Sequence, residues 1–253
     1  MLLLLAKRFV YRYICRRDFA RYMKIRALAV RIVASLELYE RQHLRFIRRF
    51  VRPGQTVIDV GANLGAYTIC LARAVGPTGK VLAFEPLTDV FRLLQENTAS
   101  LGNVRYFNLA LSSRADTSEI RLPYLLKNLP EPSNATLNPT AGACLRRPVK
   151  TAPLDDFLDE MMELSFVKVD IEGHEADFLS GARKVIETHR PLIQFEAMDM
   201  ASRFADYQSI AEGLGYDLCR LDRALALQVM RSPTAVRGYN FYLSPVRSAL
   251  PEP

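Results

Sequence analysis

Cysteine is scarce in this 253-residue chain and never closely spaced: Cys15, Cys70, Cys144 and Cys219 stand far apart, with no C-x-x-C. That excludes a disulfide framework and a cysteine zinc site, and points to reduced thiols in a cytoplasmic protein. Long apolar runs are also missing. The opening MLLLLAKR is too short to span a bilayer and carries its charge after the apolar stretch, the reverse of a secretory signal. No segment reaches 18 uncharged apolar residues, so a soluble protein is expected. Two nucleotide signatures are absent too. There is no G-K-[ST], and the glycine turn at 61–66 has Asn63 and Ala66 where a G-x-G-x-x-G fingerprint needs glycine.

What is present suffices for a folded domain: 49% of the residues are hydrophobic. The net charge of +7 is unevenly spread. Residues 1–52 hold 14 Lys and Arg against Asp18, Glu37 and Glu40, whereas the rest carries 20 against 24 acids. Basicity therefore belongs to an N-terminal arm, 1–52, ahead of a domain at 53–245 and a loose tail at 246–253. Apolar residues at 25, 28, 32, 36, 39, 46 and 50 predict helices in that arm. Two readings of its basic faces stand side by side: helices packed on the domain, or contact of residues 1–50 with an anionic membrane surface or an acidic partner.

From Thr56 the chain alternates. TVIDVGA (56–62), KVLAFEP (80–86) and NVRYFNLAL (103–111) read as strands; AYTICLARAV (66–75) and DVFRLLQENTASLG (89–102) read as helices, the latter capped by Asp89. FVKVDI (166–171), a helix from Glu175, PLIQFEA (191–197), a helix over 202–214, YDLCRLD (216–222) and YNFYLS (239–244) continue the rhythm. The result is an α/β fold with a largely parallel sheet. Residues 123–150 break the pattern with five of the 14 prolines and no period, and are expected to form an irregular loop able to cover a site.

Gly61 and Gly65 lie where a strand turns into a helix, so backbone amides and the positive end of the helix dipole face a ligand there. Glu85 ends the second strand, where an acid can accept both hydroxyls of a ribose. Together they point to an adenosine-containing ligand.

VIDVGANLGAYT, AFEP, NVRYFNLALS, LDDF at 154–157 and above all FVKVDIEGHEADFLSGA resemble the FkbM family of S-adenosylmethionine-dependent methyltransferases, over roughly four fifths of the chain. The resemblance implies a class I methyltransferase, Rossmann-like, with a seven-stranded sheet whose last strand is antiparallel, here with an N-terminal helical extension. It places S-adenosylmethionine across the ends of the first three strands. Carried over by position, Gly61, Asn63 and Gly65 cradle its methionine portion, Glu85 holds the ribose, and Asn108 and Leu111 neighbour the adenine. Asp59 either binds the ammonium group or braces the turn.

The fourth strand ends in Asp170, with Glu172 and His174 close behind. A hydroxyl acceptor must lose a proton during methyl transfer, so Asp170 is the first candidate for base or orienter, with His174 second and Glu172 beside them. Asp170, Glu172 and Glu196 also form an alternative oxygen site for Mg²⁺. Glu175 and Asp177 fit the first turn of a helix, where acids meet the dipole favourably. His43 and His189 have no evident partner in sequence.

The implied function is O-methylation of a hydroxyl on a sugar or secondary metabolite, with a small molecule or glycan as acceptor. The alternatives are a nucleic-acid methyltransferase using the basic arm and an NAD-linked oxidoreductase. The mildly acidic catalytic region opposes the first, and Asn63 and Ala66 oppose the second.

Overall fold

The structure is a computed structural model that describes residues 10, 15, 18–36, 38–126, 129–138, 143–198, 200–232 and 239–245. The 246–253 tail, nearly all of the first 17 residues and parts of the 123–150 segment lie outside these. Among the described residues two helices come first, α1 (Phe19–Ser35) and α2 (Arg41–Phe50). The alternation then runs β1 (Thr56–Val60), α3 (Ala66–Val75), β2 (Lys80–Phe84), α4 (Thr88–Thr98) and β3 (Val104–Phe107). A block of strands follows: β4 (Ala110–Leu111), β5 (Asp116–Leu126), β6 (Leu129–Pro130) and β7 (Cys144–Ala152). The alternation resumes with β8 (Leu164–Val169), α5 (Glu175–Gly181), α6 (Arg183–His189), β9 (Leu192–Glu196) and α7 (Phe204–Leu214). Strands β10 (Tyr216–Leu221), β11 (Leu227–Val229) and β12 (Asn240–Pro245) end it. Helix α4 starts at Thr88, so Asp89 sits in its first turn and not at the cap.

The main sheet has the order β11-β10-β12-β9-β8-β1-β2-β3. Strands β3, β2, β1, β8 and β9 are parallel, and β12 enters between β9 and β10 antiparallel to both. These are the seven strands expected, the last one antiparallel; the short β11 adds an eighth beside β10. Central parallel strands are covered on both faces and so read as continuous apolar runs. All five residues of β1 are buried, and Phe166, Val167 and Val169 of β8 are sealed in the core.

Residues 123–150 depart from the expected loop. They begin inside β5 and end inside β7, which pair antiparallel from Asp116↔Thr151 to Pro123↔Cys144 in a second, four-stranded sheet. The prolines between the two strands interrupt any period in the sequence, yet the strands alternate across their pairing: Ile120, Leu122 and Val149 point inward. They share a core with Tyr22, Met23 and Ala27 of α1 and Val90 and Leu93 of α4. Helix α2 is fixed to the main sheet through Phe46, whose ring meets Tyr242 at 5.0 Å. His43 finds a partner there too, its Nδ1 2.7 Å from the Tyr242 hydroxyl. In LDDF, Asp155 accepts the backbone N–H groups of Lys184 and Val185 and so anchors the start of α6.

Candidate functional site

The chain leaves β1 in one direction, builds β2 and β3, and returns to build β8 on the other side of β1. A crevice opens at such a switch point, beyond the carboxyl ends of the two strands. Gly61 and Asp170 follow those ends directly. The turn after β1 is pinned on both sides: Gly61 and Ala62 donate to the Phe84 carbonyl at 3.0 and 2.9 Å, and Asp170 donates to the Val60 carbonyl at 3.0 Å. Gly61 has φ +76°, and the Asp170 carbonyl fills the space a side chain would need. Asn63 follows at φ 49°, a left-handed position that asparagine tolerates, and Gly65 caps α3.

Glu85, 5% exposed, points into this turn. Its Oε2 accepts the Asn63 N–H and its Oε1 the Leu87 N–H, both at 2.9 Å. Burial pushes its carboxyl up to about 7 against the opposing pull of those two bonds. Each oxygen keeps a lone pair for a further donor. The same cleft is lined by Gly61, Asn63, Leu109, Leu111 and Ile120, is covered by Pro132, Ser133, Ala135 and Leu137, and runs on to Asp170, Glu172 and His174. Asn63 Oδ1 is buried without a hydrogen-bond partner among the described residues.

Not every expected ligand contact lies in the cleft. Asn108 does not line it: its amide donates to the Glu85 and Pro86 carbonyls at 2.9 and 3.0 Å, which holds the end of β2 in place. Gly65 is set back against Leu94 and Thr98 of α4. Asp59 is 2% exposed and accepts the Thr68 hydroxyl at 2.6 Å, the bracing role, while burial pushes its carboxyl up to about 6.

Asp59 belongs to a polar row that the sequence reading missed. It stands across from Lys168, and Lys168 across from Gln194, so three neighbouring strands present polar side chains at one level. Lys168 is buried, with Nζ 5.1 Å from the Tyr67 ring centroid and 3.9 Å from Asp170 Oδ2. The Tyr67 hydroxyl accepts from Gln194 at 2.9 Å and donates to Glu40 at 2.5 Å. A lysine inside an apolar strand pattern was the one signal for this row.

Beyond the row, Asp170, Glu172, Gly173, Glu196 and Met198 enclose a second cavity of about 260 Å³. It shares Asp170 and Glu172 with the cleft, so the two spaces meet at those carboxylates. Glu172 holds a left-handed φ of 52°, uncommon for a side chain of its size. Burial, then the charges of Asp170 and Glu196, pushes its carboxyl up to about 7. Burial and Asp170 also raise Glu196. The alternative Mg²⁺ site finds no support in the structure. Among the described residues no group of three or more His, Cys, Asp or Glu side chains could hold a metal ion. Asp170, Glu172 and Glu196 instead line a chamber of their own, and Lys168 supplies positive charge 3.9 Å from Asp170.

His174 is engaged on both sides. Its Nε2 lies 2.9 Å from the Ser112 hydroxyl, and its Nδ1 lies 3.4 Å from both Asn138 Oδ1 and Asp177 Oδ2. Burial lowers its pKa, partly offset by Asp177, so the neutral ring is favoured. Asn138 also donates to the Gly173 carbonyl at 2.7 Å and Thr136 to the Glu172 carbonyl at 2.8 Å. The cleft cover is thus tied to the Glu172-Gly173 turn. Ser112, Thr136 and Asn138 carried no sequence signal. Glu175 and Asp177 lie in the first turn of α5, as expected, and Glu175 accepts the Gly173 N–H at 3.0 Å.

Comparison with known proteins gives this geometry a family. A hexuronic acid methyltransferase, AglP, of Haloferax volcanii is 29% identical over 155 residues, 59% of this chain and 59% of that protein. A demethylmenaquinone methyltransferase of Staphylococcus aureus is 40% identical over 55 residues, 22% of this chain and 23% of that one. The solved structure of a methyltransferase FkbM from Methylobacillus flagellatus KT has a TM-score of 0.48 at 16% identity, covering 92% of this chain and 59% of its own. The match thus spans under two thirds of each of these relatives. Residues 59–218 match the methyltransferase FkbM domain, from the brace Asp59 through Glu85 and Asp170 to β10, and the chain belongs to that family.

Proposed function

We propose that the protein transfers the methyl group of S-adenosylmethionine to a hydroxyl of a sugar or secondary metabolite. The observation that carries this reading is that the cleft at the β1 turn and the acid-lined chamber share Asp170 and Glu172. The residues present suit the cofactor. The orphaned Asn63 Oδ1 offers an acceptor to an ammonium group, Glu85 retains lone pairs for a ribose diol, and Leu109, Leu111, Ile120 and Leu137 give the apolar walls an adenine needs. Bound there, S-adenosylmethionine would supply an electrophilic methyl carbon on a positively charged sulfur.

The protein's part is positioning and proton transfer. Asp170 would accept a hydrogen bond from the acceptor hydroxyl and so orient its oxygen for the transfer. Glu172, with its carboxyl at about 7, would take the proton that the acceptor hydroxyl gives up on methylation. His174, with both ring nitrogens engaged, keeps the cleft cover and the Glu172 turn in register. The name of the Haloferax relative favours a sugar acceptor. Incubation with methyl-labelled S-adenosylmethionine and a panel of sugars and hydroxylated metabolites tests the reading. Label in a methyl ether, with one S-adenosylhomocysteine formed per transfer, is expected; transfer to nitrogen or carbon alone would refute it.

A further inference from the structure

Helix α1 has two faces of opposite use. The inner one, Tyr22, Met23 and Ala27, is buried against the second sheet and α4. The outer one is apolar but uncovered: Leu28 and Ile32, with Leu36 at the C-cap, recur every fourth residue at 57, 50 and 63% exposure, and Leu38 just past the helix end is 51% exposed. An exposed apolar ridge of this kind marks a contact surface. Its flanks identify the partner. No acid occurs within α1, while Arg21, Lys24 and Arg31 project into solvent beside the ridge and make no ion pair among the described residues. Arg26, the remaining cation, is spent on Glu131 at 2.7 Å and donates also to Ser133. At 17 residues, and with no described helix long and apolar enough to cross a membrane, α1 is suited to lie on a bilayer surface.

We propose that this outer face of α1 docks the enzyme on an anionic lipid surface, with Leu28, Ile32, Leu36 and Leu38 entering the headgroup boundary and Arg21, Lys24 and Arg31 meeting lipid phosphates. The alternative of a second copy is disfavoured by the like charges that flank the ridge and would face one another. Docking also has a route to the site, because Arg26 of the same helix holds Glu131 and Ser133, and Ser133 is part of the cleft cover.

The test is cosedimentation of the full chain with phosphatidylglycerol–phosphatidylcholine vesicles and with phosphatidylcholine alone. Binding to the anionic vesicles is expected, falling at least about tenfold on neutral vesicles and in the Leu28→Glu/Ile32→Glu variant. Arg21→Gln/Lys24→Gln/Arg31→Gln should weaken it similarly and remove most of its salt dependence. All these side chains are exposed, so circular dichroism and melting should match the wild type. No binding to anionic vesicles, or binding unchanged in the Leu28/Ile32 variant, would overturn the proposal. So would light scattering that shows a dimer in solution which the same variant converts to monomer.

Discussion

Gly61 and Asp170 are in backbone contact: a methyl group built on Gly61 would stand 2.0 Å from the Asp170 carbonyl oxygen. The glycine that opens the turn after β1 and the carboxylate at the end of β8 are therefore held at one separation by main chain alone. Gly61→Ala adds a steric overlap to an unfavourable positive φ. It is expected to cost about 3 kcal/mol or more of stability and to abolish cofactor binding. Urea unfolding and calorimetry with S-adenosylhomocysteine check both.

Glu85 holds the turn as well as the expected ribose. Glu85→Ala leaves the Asn63 and Leu87 amides without their acceptor, at a cost of about 1–3 kcal/mol for each group that water cannot reach. Affinity for S-adenosylhomocysteine should fall by about two orders of magnitude, since both a charge-assisted contact and the shape of the turn are lost. Binding titrations of the variant, with its melting curve as control, read the two effects separately.

The raised carboxyls set a pH dependence with a definite sign. Between its ordinary 4.5 and about 7, folded Glu85 keeps a proton that the unfolded chain has released. Asp59 does the same between 3.8 and about 6. Their contribution to stability is full below the ordinary values and is lost as pH rises through about 6 to 7, an effect of order 3 kcal/mol for Glu85. Ribose hydroxyls favour the ionised form, so S-adenosylhomocysteine should bind more tightly above pH 7 and release a proton on binding near pH 6. Calorimetry in buffers of different ionisation enthalpy detects that proton.

Asp170→Asn and Glu172→Gln separate chemistry from cofactor binding. Each should leave S-adenosylhomocysteine affinity within about threefold of the wild type and lower kcat by about 100- to 10,000-fold. Loss of Glu172 should also remove the rise in rate near pH 7 that its carboxyl imposes. Steady-state rates from pH 5.5 to 9 decide this; an unchanged profile would remove Glu172 from the proton transfer.

How much of this was readable from residues alone follows from the physics of each part. Strands buried on both faces leave continuous apolar runs, so β1, β2, β8 and β9 were legible. Each ended in its informative residue, Gly61, Glu85, Asp170 and Glu196. The second sheet was not, because β5 and β7 pair across a proline-rich interval and their register exists only in three dimensions. The same holds for the row through Asp59, Lys168 and Gln194, which comes from cross-strand register. Asn108 was placed at the right strand end, but its amide turned out to serve the neighbouring backbone. The metal alternative rested on counting carboxylates, and residue types do not reveal whether three of them converge on one point.

The most direct test of the central claim is calorimetric titration of the folded protein with S-adenosylhomocysteine, beside Glu85→Ala and Asp170→Asn. One site per chain is expected, with binding weakened severely in the first variant and little changed in the second. Absence of heat with wild-type protein that melts cooperatively, or equal binding by Glu85→Ala, would contradict it.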